Sequence, residues 1–312
     1  MQYELEPNDI KDNASIVFLG DPITGVTADA ADDDWYVFDA SAPGLLSVDL
    51  SSMLYQGESV YTTTSDYYNV IAYDADQNIL SSRRGSGSWI EGGLSFTVAA
   101  PTSGLYYIVV ENSTYHTTEP YDLTVNFTEG SLTSFTEDYE TEENHFIDTN
   151  GYIPTSADAI AFGKDMNGSL YDQHDADYYK LDVTEQGVIN VTFDYSAHSP
   201  SYYDRFAVNL WDSVSMGNGS GPIVTEYAGA NGEGVDFDFA VTDPSLDYYL
   251  AVGTKDSYNY EDDPYTISTT FTQGIDGYET ESNDTAAEAD SVILGDPITG
   301  VTADAADDDW YV

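Results

Sequence analysis

The chain has 312 residues, of which 57 are Asp or Glu and seven are Lys or Arg, giving a formal net charge of −50. That charge repels nucleic acid and anionic lipid and makes cations the natural partners, and the absence of cysteine excludes disulfides and thiolate metal sites. A hydrophobic fraction of 41% with 27 tyrosines separates it from disordered polyanions, and no apolar run reaches the ~20 residues of a membrane span.

Taken in chain order, the first residues place Glu4, Glu6 and Asn8 at alternate positions, so an extended segment presents their oxygens on one face, with Asp9 next. An acidic D-x-x-D-x-D run follows at Asp29, Asp32 and Asp34, leading into Trp35, Tyr36 and Phe38, which read as core and sheet-face residues. Strands are predicted over 46–50, 70–73, 94–98, 105–110 and 121–127, then over 189–195, 206–211, 235–241 and 248–252. In 121–127, Tyr121, Leu123, Val125 and Phe127 interleave with Asp122, Thr124 and Asn126, the pattern of a half-buried strand. Asp74, Asp76 and Asn78 mimic the start of an EF-hand loop but lack its glycine and distal glutamate, so they read as a hairpin turn. No segment holds a 3.6-residue apolar period over three turns; a single helical turn is expected within 284–292. The expected class is all-β: tandem antiparallel β-sandwich, jelly-roll-like domains.

Residues 19–37 recur unchanged as residues 294–312, a shift of 275, and YELEPND at 3–9 faces YETESND at 278–284. A divergent middle unit carries YETEEN at 139–144 and DQHDADYY at 172–179, and its closing DPYTISTTFT at 263–272 faces EPYDLTVNFT at 119–128. The expected organisation is a sandwich over 1–136, a divergent sandwich over 137–274, and the start of a third unit over 275–312. The third unit reads as a piece of a longer repeating polypeptide; the rival reading makes it a donor segment that completes a neighbouring subunit.

Both acidic motifs recur: Glu140, Glu142, Asn144, Asp172, Asp175 and Asp177 in the middle unit, and Glu279, Glu281, Asn283, Asp284, Asp304, Asp307 and Asp309 in the third. Calcium takes six to eight hard oxygen ligands, which carboxylates and an amide from two chain segments can supply. An isolated acidic stretch reads equally as a solvated loop; paired recurrence in three units favours calcium over that reading. His145 stands in the middle unit where the first has Asp9, removing one hard donor, so a weaker site or fewer ions are expected there. The four histidines have no repeating partner and no nucleophile elbow, zinc-protease or phosphate-loop motif occurs, so no enzyme is expected.

The succession of Glu4-x-Glu6-Pro7-Asn8-Asp9, Asp32-x-Asp34-Trp35-Tyr36, Gly104-x-Tyr106-Tyr107-x-x-Val110 and Pro120-Tyr121-x-Leu123-x-Val125 resembles the bacterial pre-peptidase C-terminal domain, to which collagen-binding domains of clostridial collagenases are similar. The resemblance implies a non-catalytic jelly-roll sandwich of secreted proteins, with calcium ligands among Glu4, Glu6, Asn8, Asp9, Asp29, Asp32 and Asp34. The expected function is that of a calcium-binding repeat protein at the cell surface or outside the cell, forming a fibre, stalk or surface layer with neighbouring copies of itself. The alternative is a set of collagen- or polysaccharide-binding modules of a larger secreted hydrolase. A third reading makes the acidity a high-salt adaptation. Neither nucleic acid nor membrane insertion is expected. Seven Asn-x-Ser/Thr sequons are present, and Tyr67-Tyr68 and Tyr202-Tyr203 are expected as exposed aromatic pairs.

Overall fold

A computed structural model describes residues 2–52, 66–86, 93–113, 116–142, 144, 154, 156–195, 204–230, 232–255, 263–280, 283, 285–300 and 308–312. The chain packs as two compact units, one made of Met1–Glu143, Gly168–Asp172 and Asp262–Pro264, the other of Asn144–Asn167, Gln173–Glu261 and Tyr265–Val312. Strand pairing yields four five-stranded sheets, two to a sandwich, so the architecture is the expected all-β, largely antiparallel tandem sandwich.

In the first sandwich one sheet runs β1 (Gln2–Tyr3), β3 (Ile23–Gly25), β10 (Tyr121–Glu129), β5 (Gly44–Ser52), β8 (Leu94–Ala100). The other runs β2 (Ser15–Ile16), β4 (Asp34–Ala40), β9 (Gly104–Asn112), β6 (Asp66–Tyr73), β7 (Ile79–Ser86). The period-2 pattern sends Tyr36, Phe38, Leu46, Val48, Leu50, Tyr121, Leu123 and Val125 into one core, each large apolar side chain contributing about 1.5–3 kcal/mol relative to exposure. Asp34 opens β4 on the same inward face, so the alternation that builds the core also buries a carboxylate.

The second sandwich repeats this order. One sheet is β11 (Asp138–Tyr139), β13 (Asp165–Gly168), β20 (Tyr265–Gln273), β15 (Gly187–Tyr195), β18 (Val235–Val241). The other is β12 (Asp158–Ile160), β14 (Ala176–Leu181), β19 (Tyr248–Thr254), β16 (Phe206–Asp212), β17 (Val224–Ala228). Position for position each strand is the counterpart of one in the first sandwich, although the middle unit's sequence has diverged.

Several expectations change. Three lead-in pairings, β1 with β3, β2 with β4 and β12 with β14, are parallel; each short strand crosses to the outer edge of the longer strand that follows it, which alternation alone does not reveal. No helical turn forms within 284–292 among the described residues: a turn closed by Glu288 N–H donating to Thr285 O stands there. A short α-helix, α1 (Ser213–Asn218), forms instead, because Asp212 accepts from the Val214 and Ser215 amides in a capping box. Tyr68 is fully buried rather than exposed, since it shares the inward face of β6 with Val70 and Ala72; Tyr202 and Tyr203 lie outside the described residues. The Asp74–Asn78 run is the β6–β7 turn, with Asp74 Oδ1 accepting from the Asp76 and Asn78 amides and Gln77 at φ 68°.

Candidate metal centre

The lead-in segment of the first sandwich is fastened to the two loops that follow it. Glu4 N–H donates to Thr24 O (3.1 Å) and Trp35 N–H to Asn8 O (3.0 Å), so run 4–8, which bends at Glu6, is tied to β3 at one end and to β4 at the other. Glu4 Oε1 accepts from Val26 N–H (2.7 Å), and Glu4 Oε2 accepts from the Tyr36 hydroxyl (2.7 Å). The Tyr36 and Tyr121 hydroxyls are 2.6 Å apart, and Tyr121 donates to Asp34 Oδ2. A two-tyrosine relay thus holds one oxygen of Glu4 and one of Asp34, while Asp34 Oδ1 is left without a hydrogen-bond partner among the described residues. Gly25 permits this: a Cβ there would lie 2.4 Å from the Tyr36 hydroxyl and 2.5 Å from the Tyr121 ring.

Around that relay the acids gather in two groups. One oxygen each from Glu4, Glu6 and Asp34 lie within 4.8 Å of one another, as do one each from Glu6, Asp9 and Asp32, so Glu6 belongs to both. Asn8 and Asp34 are fully buried, and Asn8 Oδ1 and Asp34 Oδ1 have no hydrogen-bond partner among the described residues. A buried acceptor left unmade costs about 1–3 kcal/mol. Burial, opposed by the Tyr121 hydrogen bond and reinforced by the Glu4 carboxylate, pushes the Asp34 carboxyl up to about 8. Burial also raises Asp32, with Asp9 and Glu6 adding to it. Carboxylates that close stay ionised together only beside a positive charge. Asp29 stands apart from both groups; its Oδ1 accepts from Ala31 N–H (2.8 Å) and its carbonyl from Asn112 Nδ2 (2.9 Å), shaping the acidic loop.

In the middle unit's lead-in segment, Glu140 Oε1 accepts from Ser169 N–H (2.7 Å). Glu140, Asn144, Asp175 and Asp177 are buried, whereas Asp172 is exposed. The relay recurs, with the Tyr179 and Tyr265 hydroxyls 2.6 Å apart and Tyr265 donating to Asp177 Oδ2. No second trio matching Glu6, Asp9 and Asp32 occurs among the described residues, and His145 lies outside them.

The third copy reproduces the first segment's local geometry at the same 275-residue offset. Glu279 N–H donates to Thr299 O (3.0 Å), Trp310 N–H to Asn283 O (3.1 Å), and the Tyr311 hydroxyl to Glu279 Oε2 (2.6 Å). Asn283 is fully buried and Glu279 nearly so, while Asp309 is half-buried. Asp290 stands where the first copy has Ser15 and accepts from Thr280 N–H (2.7 Å). Glu281, Asp284, Asp304 and Asp307 lie outside the described residues.

From the sequence, Tyr36 reads as a core or sheet-face residue and Tyr121 as part of a half-buried strand, which leaves the relay unseen. The signal was present in the Pro-Tyr pair that opens the closing strand of both complete units, Pro120-Tyr121 and Pro264-Tyr265.

No protein-family model matches the chain, and no curated protein matches it. Solved structures do. The pre-peptidase C-terminal domain of a collagenase from Bacillus anthracis is 19% identical over 38% of this chain and 98% of its own, with a TM-score of 0.28. Tandem CBM51 modules of a family 98 glycoside hydrolase from Streptococcus pneumoniae are 8% identical, covering 85% of this chain and 87% of theirs, with a TM-score of 0.28. A CBM22 tandem domain from Paenibacillus barcinonensis is 10% identical over 76% of this chain and 82% of its own, with a TM-score of 0.25. These three structures are of different kinds, and none of the likenesses singles out a family.

Proposed function

We propose that the chain is a set of non-catalytic β-sandwich modules of an extracellular protein, whose lead-in segments are clamped by calcium and which attach a larger polypeptide to a surface or substrate. The observation that carries the clamp is the pair of buried acceptors, Asn8 Oδ1 and Asp34 Oδ1, beside two trios of carboxylates. The donors are all hard oxygens, carboxylate and amide, drawn from two chain segments, which suits calcium better than a transition metal. In the first module Glu4, Glu6, Asn8, Asp9, Asp32 and Asp34 would hold it; bound calcium supplies positive charge and no reaction step. The tyrosine relay orients Glu4 and Asp34 in advance, and the clamp fastens residues 4–9 to β4.

Extracellular calcium modules bind with dissociation constants of about 10⁻⁴ to 10⁻³ M, and free calcium a hundredfold above that value stabilises by about 2.7 kcal/mol per site. The test is thermal unfolding of the 312-residue chain in calcium, in magnesium and in excess EGTA at fixed ionic strength. A rise in melting temperature specific to calcium and lost in Asp34→Asn supports the clamp. Equal melts in all three would leave the acids as solvating surface and sink it.

A second reading, a fibre or surface layer built from neighbouring copies, is favoured by one observation. Residues 294–312 repeat residues 19–37 without change, and the hydrogen bonds around them recur as well. Nearest-neighbour stacking of equal units suits polymers.

A further inference from the structure

The seven sequons are equivalent as text, and the fold separates them. An asparagine receives a glycan only when its amide and the hydroxyl two residues on can both be presented, which calls for an exposed, deformable loop. Asn283 is fully buried, its amide donating to Glu279 and Asp290 (3.4 and 3.3 Å). Asn112 donates to Asp29 O (2.9 Å), and Asn190 donates to Asp236 and Asp238 (2.7 and 2.9 Å) from a strand paired on both sides. Asn167, in β13, accepts from the Thr266 hydroxyl (2.9 Å). Asn13 is exposed, yet the hydroxyl it needs belongs to Ser15, which is buried and accepts from Leu5 N–H (3.0 Å). Asn126 is exposed but lies within β10, its backbone held in register with β5.

Asn218 differs from all six. It ends α1 on the surface, and Gly219 and Ser220 beside it are exposed too. Gly219 and Gly221 take positive φ, 66° and 106°, and a Cβ at Gly217 or Gly221 would meet nothing within 4 Å, so the segment borders open space. Its local ties are the Ser220 amide and hydroxyl to Ser215 O, at 3.1 and 3.3 Å, and the Gly219 amide to Met216 O at 3.3 Å, all within the last turn of a six-residue helix. Such an end frays at little cost.

We propose that Asn218 is an N-glycan acceptor of the folded protein, a site that rests on the extracellular reading above. The donor class is a polyprenyl-diphosphate-linked oligosaccharide. The Asn218 amide nitrogen loses one proton and bonds to the anomeric carbon; the bond from that carbon to the phosphate oxygen breaks, and the diphosphate leaves with the electron pair.

The test incubates the folded 312-residue chain with such a donor and a single-subunit oligosaccharyltransferase that accepts Asn-x-Ser/Thr. Mass and glycopeptide mapping follow, with heat-unfolded chain as the control for active reagents. One glycan per chain at Asn218 is expected, lost in Asn218→Gln and in Ser220→Ala, with several sites modified after unfolding. Folded chain that stays unmodified while unfolded chain reacts, or that reacts first at another asparagine, overturns the proposal. The same sample is melted with and without calcium: a calcium shift without glycan removes this inference alone, and glycan without a calcium shift removes the clamp alone.

Discussion

The first and second sandwiches share strand order, tyrosine relay, a buried amide and four of the five gathered acids, but not the fifth. The first gathers Glu4, Glu6, Asp9, Asp32 and Asp34 into two trios joined at Glu6; the second carries Glu140, Glu142, Asp175 and Asp177 at the corresponding sequence positions and His145 in that of Asp9. The relay from Tyr36 through Tyr121 to Asp34 survives as Tyr179, Tyr265 and Asp177 although the sequence around it has changed. Scaffold and ligand count are therefore separable. The tyrosines belong to the core and recur with it, whereas the exposed Asp9 gives way to His145 while the strand order stays the same.

The largest expected effect comes from withdrawing calcium. Under the proposed clamp, calcium at a hundredfold excess over its dissociation constant would contribute about 2.7 kcal/mol per site, so chelation is expected to destabilise the first sandwich, with its two trios, more than the second. Hydrogen-exchange mass spectrometry on the whole chain compares β10 with β20; equal loss of protection in the two strands would erase the distinction.

Next comes the relay. Measured in calcium, where the proposed clamp keeps Asp34 ionised, Tyr121→Phe removes the donor to Asp34 Oδ2 and is expected to cost about 1.5–3 kcal/mol, the range for hydrogen bonds to charged groups. Tyr265→Phe is expected to do the same in the second sandwich. A neutral result in chemical denaturation for either would show that the hydroxyl chain is incidental there.

The pH dependence has a definite sign. The folded value of Asp34, about 8, lies above its ordinary 3.8, so the calcium-free native state holds that proton more tightly than the unfolded chain does. The stability this proton supports is fully present below pH 3.8 and is lost as pH rises towards 8. In EGTA, the melting temperature should fall between pH 5 and 8 more steeply for the native sequence than for Asp34→Asn. Parallel curves would show that burial does not govern the carboxyl.

The smallest effect sharpens the comparison directly. His145→Asp restores the acid that the first unit has at Asp9, and a modest increase in calcium protection at β20 is expected. No change would mean that the second lead-in segment lacks more than one donor.

Much of this was legible in the sequence. Alternation at 121–127 and 189–195 gives β10 and β15 because a half-buried strand needs one apolar face. The 275-residue repeat announces the third copy. The Asp74–Asn78 turn follows from the hydrogen-bonding habits of Asp and Asn. These are local properties, set by neighbours in the chain.

What only the tertiary structure decided involves residues far apart in sequence. Tyr121 meets Asp34 across 87 positions, and Gly25 must be bare for the two tyrosines to lie against it. The parallel pairing of the lead-in strands, the burial of Tyr68 and the helix cap at Asp212 depend on which surfaces face one another. Alternation specifies that one face of a strand is buried, and only packing specifies against what. The sequence by itself therefore determined an acidic, repeated, all-β chain; the fold determined which of its acids lie together and which of its sequon asparagines ends a surface turn.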